Sequence, residues 1–135
     1  MHRRLILCYA FTPYHLFSSI YYAMRVNWGA HTDKCLVIHW NLENVDSGDW
    51  STCFDHIIRI PDTDSHWLPK RLWLRCLYGG RLFRFSPIWK IVKRYADRTT
   101  CLCFSDQQTY ESKIISELRK HAGNTVCMVE EGENT

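Results

Sequence analysis

Residues 5–11, Leu-Ile-Leu-Cys-Tyr-Ala-Phe, form an unbroken apolar run, and Thr12-Pro13-Tyr14-His15 ends it at once. An apolar run of strand length, closed by turn chemistry, fits a strand buried on both faces, as inner strands of parallel sheets are. Thr12 suits a helix N-cap. Pro13 then falls at the first helical position, where a missing N–H costs nothing. From Leu16 onward the pattern is helical. Strand, tight turn and helix therefore follow one another within a few residues. In an open α/β sheet such a turn lies at the carboxyl edge of the strands, where ligands bind. If this strand is central, later strand-to-helix turns open on the same edge.

The rest of the chain repeats the alternation. The first helix is expected from residue 13 to about 28, with Leu16, Phe17, Ile20, Tyr21 and Met24 at helical spacing and Gly29 as its stop. Residues 34–40 read as a second strand and 41–51 as a polar loop. Residues 54–60 alternate and stop at Pro61, which suits a third strand near an edge. Residues 67–98 are helical in composition but interrupted by Gly79-Gly80 and Pro87, so two helices are expected. Residues 99–104 read as strand four. Ser105 or Asp106 would cap an amphipathic helix over 107–121, with Tyr110, Ile114, Ile115 and Leu118 inward. Gly123 ends that helix and Asn124 turns the chain into strand five, 125–129, which runs into Glu130-Glu131-Gly132. Strands alternating with helices predict an α/β fold with a parallel sheet and flanking helices.

Length and composition narrow the class. A chain of 135 residues is one domain in size, and 46% hydrophobic with 14% aromatic residues supplies a packed core and excludes disorder. Seven cysteines, an odd number without paired ligand spacing, argue for reduced thiols and a reducing, cytoplasmic compartment. The opening Met1-His2-Arg3-Arg4 and its apolar run mimic a signal peptide, but the run is short and no small-residue cleavage site follows. No segment has the length of a bilayer span. Walker loops, Gly-x-Gly-x-x-Gly and nucleophile elbows are absent from the sequence.

Two motifs can carry chemistry. Glu130-Glu131-Gly132 sets two carboxylates and a permissive glycine at the end of a buried strand. A carboxylate there can take a proton from a hydroxyl nucleophile once its pKa is tuned towards working pH. The plainer reading is a charged turn. Thr12-Pro13-Tyr14-His15 can offer Tyr14 and His15 to a sugar hydroxyl or a phosphate at a helix N-terminus, or can simply cap the helix. His39 and His56 lie in strand-like runs at no ligand spacing and read as structural.

Thr-Pro-Tyr-His-Leu directly after the first strand, with Glu-Glu-Gly after a later one, resembles the bacterial sialyltransferases of glycosyltransferase family 52 and the related capsular polysialyltransferases. The resemblance implies a Rossmann-like domain, one half of a two-domain GT-B enzyme. It implies inverting, metal-free transfer of sialic acid from CMP-sialic acid to a glycan hydroxyl of a surface polysaccharide or lipooligosaccharide. In that family the acid-acid-Gly motif supplies the general base. Carried over, the base is Glu131 or Glu130, beside Gly132, and Thr12, Pro13, Tyr14 and His15 line the acceptor cleft. The family's second motif, His-Pro in the C-terminal half, has no counterpart in this sequence, and neither does the donor-binding half. The resemblance spans nearly all of this chain but only the N-terminal, acceptor-side half of a family member. A half enzyme of this kind is not expected to turn over alone. Other readings are a non-catalytic glycan- or membrane-binding remnant, or another nucleotide-sugar transferase.

Two further segments admit more than one reading. Asp62-Thr63-Asp64 has the Asp-x-Asp form with which a different glycosyltransferase fold holds Mg or Mn, but short acidic pairs are common in polar loops. The segment from Trp67 to Arg98 carries nine Lys and Arg against one acid, Asp97, interleaved with Trp67, Trp73, Phe83, Phe85, Trp89 and Tyr95. It can contact an anionic inner-membrane surface, hold a polyanionic acceptor, or form two surface helices whose aromatics pack on the sheet. An aromatic stripe usually faces core, which favours the last. Without a nucleic-acid motif, no nucleic-acid partner is expected.

Overall fold

A computed structural model describes residues 3–25, 29, 31–42, 50–62, 66–95, 97–103 and 109–129. Five strands, β1 (Arg4–Ala10), β2 (Thr32–His39), β3 (His56–Ile60), β4 (Thr99–Cys103) and β5 (Thr125–Met128), form one sheet in the order β3-β2-β1-β4-β5. Every pairing is parallel. The helices are α1 (Pro13–Arg25), α2 (Leu68–Gly79), α3 (Pro87–Lys93) and α4 (Thr109–Leu118). This is the α/β, Rossmann-like arrangement expected from the alternating pattern.

β1 is the central strand. Leu5 to Ala10 are all buried, because both neighbours are strands and both faces are covered. Its side chains alternate between two cores. Leu5, Leu7 and Tyr9 join Val37, Ile60, Phe83, Ile88, Val92, Ile114 and Leu118 on the face covered by α2, α3 and α4. Ile6, Cys8 and Ala10 join Leu36, Ile38, Leu102, Leu16, Ala23, Leu42 and Phe54 on the face covered by α1 and two 3-10 turns, Trp40–Leu42 and Trp50–Cys53. The faces divide this way because right-handed crossovers from β1 through β2 to β3 run in one direction across the sheet. Those from β3 back to β4 and on to β5 run in the other.

Two expectations change. First, α1 is turned differently from its expected face. Leu16 is buried and Ile20 packs against the core, but Phe17 (50% exposed), Tyr21 (60%) and Met24 (63%) point outward. The side facing the sheet is His15, Leu16, Ser19 and Ala23. Ser19 and Ala23 are one turn apart, and small side chains there let the helix lie close against β1, which a stripe of large side chains would prevent. Second, Trp67, Trp73 and Phe85 do not pack on the sheet: they are exposed, while Phe83 and Tyr95 are buried and Trp89 packs against the core. The two helices expected over residues 67–98 are present as α2 and α3, and Pro87 marks the start of the second. It stands at the first position of α3, and the Ser86 hydroxyl caps the helix by accepting from the Trp89 N–H at 3.2 Å.

The amino edge of the sheet is fastened by side chains. Arg3 Nε donates to Asp33 Oδ1 at 3.0 Å, the Tyr95 hydroxyl donates to Asp33 Oδ2 at 2.7 Å, and the Lys34 N–H donates to Asp55 Oδ2 at 2.8 Å. Asn124 accepts from the Thr99 N–H at 3.0 Å and donates to the Leu118 carbonyl at 3.2 Å, closing the turn between α4 and β5. All seven cysteines are free thiols; Cys101 and Cys103 bring their sulfurs to 3.1 Å inside the core. Burial pushes the Cys8 and Cys35 thiols up to about 12, so both are protonated and inert as nucleophiles. Among the described residues no helix is long and apolar enough to cross a membrane.

Candidate functional site

In the order β3-β2-β1-β4-β5, the chain leaves β1 toward one face and β4 toward the other. The carboxyl edge between these two strands is the switch point at which open α/β sheets bind ligands. The β1 side of this crevice is the turn Thr12-Pro13-Tyr14-His15. Thr12 Oγ1 accepts from the His15 N–H at 3.2 Å, and the Thr12 carbonyl accepts the first helical bond, from the Leu16 N–H at 3.0 Å. His15 reciprocates: its Nδ1 accepts from the Phe11 N–H at 3.2 Å. This resembles a capping box, with a histidine in the place of the usual Glu or Gln and its return bond made one residue earlier, to the residue before the N-cap. It holds the proton of a neutral His15 on Nε2. His15 is buried, whereas Thr12, Pro13 and Tyr14 are exposed at the edge. The turn thus exposes Thr12, Pro13 and Tyr14 at the edge, while Thr12 and His15 together hold its shape.

An aromatic group stands beside the turn. The Phe11 ring lies 5.1 Å from His39 at the end of β2 and stacks at 6.2 Å on Tyr110 in the first turn of α4. Tyr9 stacks behind Phe11 at 5.7 Å, and Trp40 extends the group 5.8 Å beyond His39. His39 Nδ1 lies 3.0 Å from Asn41 Oδ1, a contact that orients the ring and leaves Nε2 facing away from that bond. Partly exposed aromatic faces next to an imidazole suit the apolar face and hydroxyls of a sugar or the plane of a base.

The sequence pattern does not single these residues out: His39 sits in a strand-like run as a structural residue, Phe11 ends the first apolar strand and Tyr110 lies on the inward face of a helix. Their common signal is position: each ends a strand or begins a helix at the carboxyl edge. Glu111, also in the first turn of α4, is fully buried with the inward-facing Ile114, Ile115 and Leu118. Burial, reinforced by Cys101, Cys103 and Glu111, keeps the Tyr9 hydroxyl protonated far above the ordinary tyrosine range.

The β5 side ends similarly. The Val129 N–H donates to the Cys103 carbonyl at 2.8 Å, so β5 reaches the carboxyl edge beside β4. Glu130, Glu131 and Gly132 follow in sequence and lie outside the described residues, as do Ser105, Asp106, Thr63 and Asp64. Among the described residues no group of His, Cys, Asp and Glu is arranged to hold a metal ion. A cleft of about 470 Å³ lined by Trp89, Val92, Lys93, Asp97 and His121 lies at the amino edge, where Asp97 precedes β4 and His121 follows α4. It is remote from the turn and its aromatic neighbours. Comparison with protein-family models, with curated proteins and with solved structures finds no match to this chain.

Proposed function

We propose that this domain is the acceptor-side half of a GT-B sialyltransferase that transfers sialic acid from CMP-sialic acid to a glycan hydroxyl. The observation that carries this reading is that β1 and β5 are parallel and present their carboxyl ends on one edge, with only β4 between them. A motif that follows β1 and a motif that follows β5 can then serve one cleft. Glu131, or Glu130, acts as the general base on the acceptor hydroxyl. Thr12, Pro13 and Tyr14 line the cleft, and Phe11, His39 and Tyr110 give the acceptor sugar an aromatic wall. The donor half and its leaving-group histidine belong to a second α/β domain.

The test has two arms. A sialyl- or galactosyl-terminated oligosaccharide titrated into the 135-residue chain should shift the NMR signals of Tyr14, His39 and Tyr110. Shifts confined to other regions would sink the assignment of the cleft. In a full-length enzyme carrying this domain, Glu131→Gln or Glu130→Gln should abolish transfer from CMP-sialic acid. Full activity in both variants removes the general-base assignment, and transfer from UDP- or GDP-sugars instead assigns a different donor.

A further inference from the structure

α2 carries apolar side chains on both sides. At 100° per residue, Leu74, Leu77 and Tyr78 fall on the side packed against the core. Leu68 (58% exposed), Pro69, Leu72 (52%) and Trp73 (55%) fall on the opposite side, facing water, and Trp67 just before the helix is 71% exposed. Arg75 borders this stripe on one flank, and Lys70 is exposed in the first turn of the helix. The 3-10 turn Phe83–Phe85, which packs against α2, adds an exposed Phe85, preceded by an exposed Arg81. Nothing acidic interrupts the sequence from residue 66 to 96. On the neighbouring α4, Glu117 is buried and engaged by Lys120 at 3.0 Å, Lys113 at 3.4 Å and Arg84 at 3.6 Å, so it does not offset the positive surface.

A contiguous apolar stripe in water marks an interaction surface, and the surrounding charge requires an anionic partner. A soluble polyanion would be held by the Lys and Arg, and could stack on the Trp, but gives no reason for Leu68 and Leu72 to be exposed beside them. Leucine and tryptophan along one helix face, with exposed cations at Lys70, Arg75 and Arg81 close by, match a helix lying in the boundary between lipid headgroups and acyl chains. We propose that α2 and the turn after it dock the protein on an anionic lipid bilayer. Leu68, Leu72, Trp67 and Trp73 enter the interface, and Lys70, Arg75 and Arg81 contact lipid phosphates. The helix lies on the membrane and does not span it. This inference goes beyond the sialyltransferase reading and stands whichever donor sugar is used.

The experiment is sedimentation of the chain with vesicles of phosphatidylglycerol and phosphatidylcholine in equal parts, against vesicles of phosphatidylcholine alone. The wild type should bind the anionic vesicles, and weaken as salt rises. Lys70→Gln, Arg75→Gln and Arg81→Gln should each weaken binding by about fivefold. Leu72→Gln with Trp73→Gln should weaken it by at least about tenfold. All five side chains are exposed, and circular dichroism checks that each variant remains folded. Brominated lipid should quench the wild type more strongly than a Trp67→Phe, Trp73→Phe variant. The proposal is overturned by equal binding to phosphatidylcholine alone. It is also overturned if the Leu72, Trp73 variant keeps wild-type binding to anionic vesicles, since the surface then reads charge only and fits a soluble polyanion. Equal quenching in the two proteins likewise overturns it.

Discussion

Tyr95→Phe removes one hydroxyl from the point where three distant parts of the chain meet. In the wild type the Tyr95 hydroxyl donates to Asp33 Oδ2 at 2.7 Å, and Asp33 is also held by Arg3. A hydrogen bond to a charged acceptor contributes about 1.5–3 kcal/mol. Asp33 keeps its second partner and retains 16% of its side-chain surface in water, so part of the loss is recovered and the lower end applies, about 1.5 kcal/mol. For a chain of this size that is a shift of about 1 M in the urea midpoint, or about 5 °C in Tm. The pH dependence makes the test specific. The hydrogen bond from Arg3, opposed by partial burial and aided by Tyr95, holds the Asp33 carboxyl below the usual range. Its contribution is therefore present above the unfolded carboxylate pKa, about 3.9, and is lost as pH falls through the lowered folded value. Burial and the bond to Asp33 raise the Tyr95 hydroxyl, so its contribution is present below about pH 10 and is lost as pH rises through the raised folded value. Urea titrations of both proteins at several pH values should give a difference that is largest between about pH 5 and 9. It should shrink on both sides. A difference below about 0.5 kcal/mol at pH 7, or one unchanged between pH 3 and 7, refutes the assignment.

Three other substitutions test the packing that positions the site. His15→Ala takes the acceptor from the Phe11 N–H and should cost about 1–2 kcal/mol, with faster amide exchange at Phe11 than anywhere on β2. Gly123→Ala would set a Cβ 2.2 Å from the Asp97 carbonyl oxygen, forcing the turn between α4 and β5 apart at about 1–3 kcal/mol by thermal unfolding. Phe83→Ala empties a fully buried site between the sheet and α2 and should cost about 3–5 kcal/mol in a urea titration, enough to endanger folding.

The central strand and its turn were legible from seven adjacent apolar residues and Thr12-Pro13, because burial on both faces leaves a continuous apolar run and capping is local chemistry. The inward residues Ile114, Ile115 and Leu118 of α4 were legible for a similar reason: one helix face dominates. α1 and α2 were harder. Each carries apolar side chains on two sides, and only the sheet decides which side docks: small Ser19 and Ala23 on α1, Leu74 and Tyr78 on α2. The aromatic neighbours of the turn were not legible at all. Phe11, His39 and Tyr110 lie far apart in sequence and meet because two parallel strands end, and a helix begins, on one edge. Glu111 was hidden in another way, as a charged residue on the buried side of a helix, where periodicity alone expects apolar ones.

The strand order has a kinetic consequence. At the amino edge, Arg3 meets Asp33 across 30 residues on the β2 side, but is met by Arg98 across 95 residues on the β4 side. Closing the longer loop costs about 1 kcal/mol more in chain entropy, and the contacts that reward it arrive only when β4 docks. The three strands β1, β2 and β3 can therefore assemble while β4 and β5 are still unpaired, leaving one edge of β1 open until the seam closes. That seam is also the crevice beside Thr12 and Tyr14. Mutations that slow its closure should act on folding speed and on the site together, and the interval before it closes is when the apolar β1 run is most open to aggregation.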